Sequence, residues 1–215
     1  MKENITNNYF ESRFKFDLGR KKVWDAIVDH LQPKYFNNIE TVVELGCGYG
    51  DFINSVKAEK KIAIDINDCK EFLSSDVTFY KQDVTDLEFI KDNSVDLVFA
   101  SNLVEHLVWE KIDEMIQEVR RILKKSSKLV LIHPNYSLCS SNYFDDYTHR
   151  TIFSDVSLSD YLKSIGFRIN YVNPSFLPFS MQGILPKTYF LTKLYLELNS
   201  PILGKQMLVV SENES

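Results

Sequence analysis

The first repeated pattern lies between 16 and 31, where apolar residues recur at Val23, Ala26/Ile27 and Leu31. Steps of three and four predict an amphipathic helix, here ending before Pro33. The pattern then changes. Short, almost unbroken apolar runs, "TVVEL" (41–45), "KIAIDI" (61–66), "VTFYKQDV" (77–84), "SVDLVFAS" (94–101) and "KLVLIH" (128–133), read as five strands. "DFINSVK" (51–57) opens a helix after the first of them. In 107–124, Ile112, Met115/Ile116, Val119 and Ile122/Leu123 return at helical spacing with charges between them. "SDVSLSDYLKSIG" (154–166) is a helix with Ser154 as N-cap and Gly166 at its end. "FRINYV" (167–172) and "GKQMLVVSE" (204–212) make a sixth and a seventh strand.

Alternating strands and helices with apolar strands imply an α/β fold, a mostly parallel sheet covered on both faces. The seventh strand follows a long connection, 173–204, and is expected to run antiparallel. In such sheets ligands sit beyond the carboxyl ends of the strands, which places function just after Leu45, Ile64, Lys81, Phe99 and Ile132. One domain is expected over 1–215, with 1–35 as a helical cap and 173–204 as an insert on the substrate side.

Composition narrows the partners. A formal net charge of -5 and a pI near 5.4 provide no basic field for a phosphate backbone, so a nucleic-acid partner is not expected. The longest charge-free stretch, 169–186, is interrupted by Pro174, Pro178 and Pro186, a poor transmembrane segment. The N-terminal stretch is polar and reads as no signal. Cys47, Cys69 and Cys139 form no CxxC pair and suit a reducing cytoplasm.

Gly46, Gly48 and Gly50 follow the first strand and precede a helix, the place where a nucleotide-like ligand meets backbone. Asp65 ends the second strand about 20 residues after the first glycine, where an acid commonly holds a ribose diol. A dinucleotide site wants G-x-G-x-x-G, but the sixth position is Asp51, an acid that would repel a pyrophosphate. Glu44 adds negative charge beside the loop. A cationic sulfonium ligand meets no such objection.

On these residues the chain, from about 42 to 166, resembles the class I S-adenosylmethionine-dependent methyltransferases, and the resemblance implies a Rossmann-like fold. "ELGCGYG" is similar to the family's first motif, which implies cofactor contacts from Glu44, Gly46, Cys47, Gly48 and Gly50. Asp65 would be its ribose acid, with Ile66 beside it. "YKQDV" resembles the third motif, in which Asp83 accepts from the adenine amino group and Val84 offers its N–H. "SVDLVFASNLVEHL" resembles the fourth, with Ser101 to Leu103 opposite the glycines. Asp96, at the start of that strand, reads as a structural acid. "EVRRILKKSSKLVLIHPN" is similar to the subgroup related to ubiquinone-pathway methyltransferases. The leading "YFESRFKF" supplies Tyr9 and Arg13 as candidates near the methionine carboxylate.

For the acceptor, His106, His133 and His149 all fall at or beyond strand ends, whereas His30 reads as exposed and inert. "DDYTHR" (145–150) resembles a segment of glycan-cluster and natural-product methyltransferases, making His149 the leading general base with Asp145 or Asp146 orienting it. Glu105 and His106 are the other catalytic candidates. Glu105, His106 and His149 also resemble the E-x-x-E-H segment and later His by which small-RNA terminal 2′-O-methyltransferases and some ubiquinone-pathway enzymes bind a divalent metal, but Asn102 stands in place of the first acid, so no metal is expected. Together these imply O-methylation of a small polar metabolite, sugar- or phosphate-bearing. A quinone-like phenol or lipid acceptor and a non-catalytic cofactor-binding protein are the alternatives. The helix "KTYFLTKLYLEL" in the insert presents Phe190, Leu191, Leu194, Tyr195 and Leu198 on one side, read as a lid or a homodimer patch.

Overall fold

A computed structural model describes residues 17–179, 187–198 and 204–215. Helix α1 (Leu18–Tyr35) leads into β1 (Thr41–Leu45), α2 (Asp51–Ser55), β2 (Lys60–Asp65), β3 (Val77–Lys81) and β4 (Val95–Ser101). Then come α3 (Trp109–Ile122), β5 (Leu123–Pro134), α4 (Tyr136–Cys139), α5 (Asp155–Ser164), β6 (Phe167–Leu177), α6 (Tyr189–Leu198) and β7 (Gln206–Asn213). The strands form one sheet in the order β3-β2-β1-β4-β5-β7-β6. β1 to β5 pair in parallel, and β7 runs antiparallel to both β5 and β6, as expected of the last strand.

Alternation along the strands feeds two cores. Val43 and Leu45, Val98 and Ala100, and Leu129 and Leu131 face one side, where Ile112, Met115, Ile116 and Val119 of α3 and Leu158 and Leu162 of α5 cover them. Val42, Leu97, Phe99, Val130 and Ile132 face the other, under α1, α2 and α6. There Phe52 stacks on Phe99 at 3.7 Å between centroids, and Trp24 meets both edge-on. With Trp24, Ile27 and Leu31 buried, α1 packs into the core on this face.

Several boundaries differ from the sequence expectation for physical reasons. α1 continues through Pro33 because a proline in the last turn forfeits only one bond there, and Phe36 caps the end on Gln32 O at 3.1 Å. The third strand stops at Lys81, ahead of a turn built by Asp83. α3 passes into β5 at Leu123 without a loop, and the Asn213 amide donates to Arg120 O and Leu123 O at the junction. β6 extends to Leu177, so the insert begins later than 173. His30 is not the exposed residue expected: its side chain is 11% exposed and sits 3.2 Å from Glu197 of α6. Among the described residues no helix is long and apolar enough to cross a membrane.

Candidate active site

The carboxyl ends of β1, β2, β4 and β5 carry the candidate residues. Gly46, Gly48 and Gly50 all adopt left-handed backbone, with φ of 66, 50 and 67°. At Gly46 space matters as well, since a Cβ there would lie 2.9 Å from Leu103 Cδ1. The loop is therefore pressed against the turn that follows β4, which brings Leu103 opposite the glycines as expected. Gly46 N and Cys47 N donate to Ile64 O at 2.8 and 3.2 Å, tying the loop to β2.

Asp65, buried, accepts from Gly48 N at 3.0 Å through one carboxylate oxygen and from Asn67 N at 2.8 Å through the other. It thus fixes the loop while standing at the position expected of a ribose-binding acid. Ile66 beside it is 58% exposed, an apolar surface next to that acid. Asp83 accepts from Thr85 N at 3.0 Å and Thr85 Oγ1 at 2.8 Å, the loop-capping role, while Val84 is buried in the α3-side core. Ser101 Oγ accepts from the Asn102 amide at 3.1 Å. Asp96 is structural as read: it accepts from Thr41 N at 2.8 Å and Lys124 Nζ at 2.7 Å.

Two acids beside the loop carry less charge than their positions in the sequence imply. Glu44 shares a face of β1 with Val42, so its side chain turns under α2 and accepts from Ile53 N at 3.0 Å. Burial pushes its pKa well above the usual carboxylate range, with Asp51 and Asp65 acting in the same direction, so it is a helix cap rather than a source of negative charge. Asp51 is neutralised by Arg20, whose Nε and Nη2 both donate to Asp51 Oδ2, at 2.8 and 2.6 Å. Cys47 is buried in the α1-side core. Tyr9 and Arg13 lie outside the described residues.

On the acceptor side, the short 3-10 turn Val104–His106 is clasped by the segment leading from α4 to α5. Arg150 N and Thr151 N donate to Glu105 O at 2.7 and 3.3 Å, and Thr151 Oγ1 donates to Leu107 O at 2.7 Å. This brings the His106 and His149 rings to 5.0 Å, while Tyr143 packs 4.5 Å from His149. Glu105, His133 and His149 are buried, and His133 Nε2 lies 3.9 Å from Glu105 Oε2. The three strand-end histidines singled out in the sequence therefore do converge. Sequence reading did not foresee a contact from Thr148 Oγ1 to His106 Nδ1 at 2.8 Å. No spacing rule announces such a contact across forty-two residues.

Burial, with a smaller contribution from the neighbouring His149, lowers the pKa of His106 and of His133 to about 4. Burial raises that of Glu105 to about 8. Glu105 thus keeps its proton in the fold at pH values where the unfolded chain, with an ordinary value of 4.5, has lost it. Its contribution is fully present below about 4.5 and disappears as the pH rises through about 8. The isosteric, neutral Glu105→Gln should accordingly gain stability over the parent as pH rises from 5 to 8, by on the order of a few kcal/mol. Urea unfolding at both pH values reads this directly, and an unchanged difference would refute it.

Glu105, His106 and His149 each bring a ligand atom to within 4.8 Å of the others, as do Cys47, Asp65 and Cys69. Either group has donors that could take a transition metal.

Comparison with known proteins agrees with this geometry. Residues 43–131 match the methyltransferase domain family. The chain is 34% identical over 154 residues, 68% of its length, to an uncharacterised protein of Methanocaldococcus jannaschii. It is also 34% identical over 138 residues, 59% of its length, to phosphoethanolamine N-methyltransferase 1 of Triticum aestivum. It spans 65% and 27% of the lengths of these two relatives. A SAM-dependent methyltransferase of Archaeoglobus fulgidus shares its fold, with a TM-score of 0.68 over 97% of this chain and 99% of that one, at 22% identity. Residues 43–131 are thus similar to a methyltransferase domain, in a fold shared with a SAM-dependent methyltransferase.

Proposed function

We propose that this protein is an S-adenosylmethionine-dependent methyltransferase that methylates a hydroxyl of a small polar metabolite bearing sugar or phosphate. The observation that carries the reading is a glycine cradle pressed by Leu103 against the turn that holds Glu105 and His106, so that cofactor and acceptor groups share one edge. The left-handed glycines turn the loop without placing side chains on it, and Asp65, with exposed Ile66 beside it, suits a ribose and an adenine. When bound, the cofactor supplies a methyl group on a positively charged sulfur, which leaves as a neutral thioether. The chain's part is alignment and removal of the acceptor's proton. His106 and His149, lying side by side, are the groups to receive it, and the backbone carbonyl of Glu105, accepting from Arg150 N and Thr151 N, ties the turn of His106 to the segment that carries His149.

A second reading has its own support. Phe144 and Tyr147, 59% and 61% exposed, lie in the segment that carries His149 and would suit a quinone-like phenol or an apolar acceptor. The exposed face of α6, with Phe190, Leu191, Leu194 and Leu198, is the surface for a homodimer. Three buried free cysteines accord with a cytoplasmic location.

Transfer of labelled methyl from S-adenosylmethionine into extracts of the source organism, followed by mass spectrometry of the product, tests the acceptor class. A methyl ether on a polar, sugar- or phosphate-bearing molecule is expected. Turnover of phenols with none on activated sugars would reverse the two readings.

A further inference from the structure

Asp146, Thr148 and His106 form a chain of hydrogen bonds whose polarity can be worked out. Asp146 Oδ1 accepts from Thr148 N at 3.0 Å and from Thr148 Oγ1 at 2.6 Å. A threonine hydroxyl has one proton. With that proton directed to the carboxylate, the Thr148 oxygen presents a lone pair to His106 Nδ1, 2.8 Å away. Two lone pairs at that distance repel, so Nδ1 must carry a hydrogen and donate. The ring is also packed beside a second imidazole, that of His149, at 5.0 Å, surroundings in which it stays neutral near pH 7. A neutral ring has only one N–H, and the other nitrogen, Nε2, is then unprotonated.

We propose that Asp146 and Thr148 are positioning residues that hold His106 as its Nδ1–H tautomer, making Nε2 the atom that takes the acceptor's proton. The catalytic use of this tautomer rests on the hydroxyl-methylation reading above; the tautomer itself does not. In the step, the acceptor oxygen forms its bond to the methyl carbon as the carbon–sulfur bond breaks. The hydroxyl proton passes to His106 Nε2 and later to solvent. The imidazolium formed meanwhile donates from Nδ1 to Thr148, whose own proton remains on the side of Asp146, so the carboxylate stabilises the new charge through the hydroxyl. The relay is held in register by the backbone bonds of Arg150 and Thr151 to Glu105 O and by Tyr143 Oη, which donates to Thr151 O at 2.5 Å. Glu105, His133 and His149 are the other titratable groups around the ring.

The test is long-range proton–nitrogen NMR of the histidine rings in the intact, uniformly 15N-labelled protein at neutral pH, with His106→Gln to assign the signal. The expected pattern is a protonated Nδ1 and a bare Nε2. Thr148→Val should lose that pattern, giving mixed or reversed tautomers, and Thr148→Ser should keep it. Binding of S-adenosylhomocysteine by calorimetry, unchanged in both variants, checks that they fold. In any extract that supports methyl transfer, Thr148→Val should be at least about tenfold slower and Thr148→Ser near the parent. An Nε2–H tautomer in the parent, or a Thr148→Val spectrum identical to it, overturns the proposal. Correct tautomers with no methylated hydroxyl product would instead refute only the acceptor reading.

Discussion

His106→Ala should lower methyl transfer by roughly 10²- to 10⁴-fold while cofactor affinity stays nearly unchanged, the signature of a lost general base. The reason is geometric. His106 sits in the turn beyond β4, three residues past the Leu103 that packs on Gly46, and its Nδ1 is engaged by Thr148. His149→Ala should act differently. Removing that neighbour takes away one of the influences that depress the pKa of His106, so the acid limb of the pH–rate profile should move to higher pH. A metal held by Glu105, His106 and His149 predicts another outcome. Then a strong chelator would abolish activity, and Glu105→Ala would be as damaging as either histidine variant. The base assignment expects no effect of chelator, measured as turnover before and after dialysis. Full activity in both histidine variants would remove these residues from the mechanism.

The second large effect is on the cofactor. Asp65→Ala should weaken binding of S-adenosylmethionine and its demethylated product by about 10²- to 10⁴-fold. That magnitude follows from losing roughly two hydrogen bonds to a charged group, each contributing about 1.5–3 kcal/mol. The substitution acts twice, removing the acid placed for the ribose and releasing Gly48 N, which it holds at 3.0 Å. Asp65→Asn, similar in shape but uncharged, should fall between the two. Calorimetric titration of each variant decides the matter, and parent-like affinity in Asp65→Ala would mean that the ribose is held elsewhere.

The sheet was legible because its signals are local. Strands apolar on both faces, such as β1 with Val42 and Val43 in opposite cores, appear as continuous runs, and the glycine triplet marks a backbone turn that few other residues tolerate. Asp96 could be read as structural, and it is. Misreadings came where tertiary contacts decide the role of a side chain. Glu44 has the sequence of a cofactor-side acid, but strand alternation buries it beneath α2. Asp51 seemed a lone negative charge until α1 delivered Arg20 to it from thirty-one residues away. The histidine cluster was legible as three strand-end residues, yet their pairing depends on how 143–151 folds back over 104–107. Sequence periodicity carries no information about that path. Pro33 misled for a different reason: a helix breaker in a last turn has little left to break.

The glycine loop and Asp65 are proposed to form the site for S-adenosylmethionine. That assignment is tested most directly by isothermal titration of the purified protein with S-adenosylhomocysteine, S-adenosylmethionine and NAD in parallel. Micromolar-range binding of the first two and none of NAD is expected. Absence of heat with either sulfur ligand, together with binding of NAD, would contradict it.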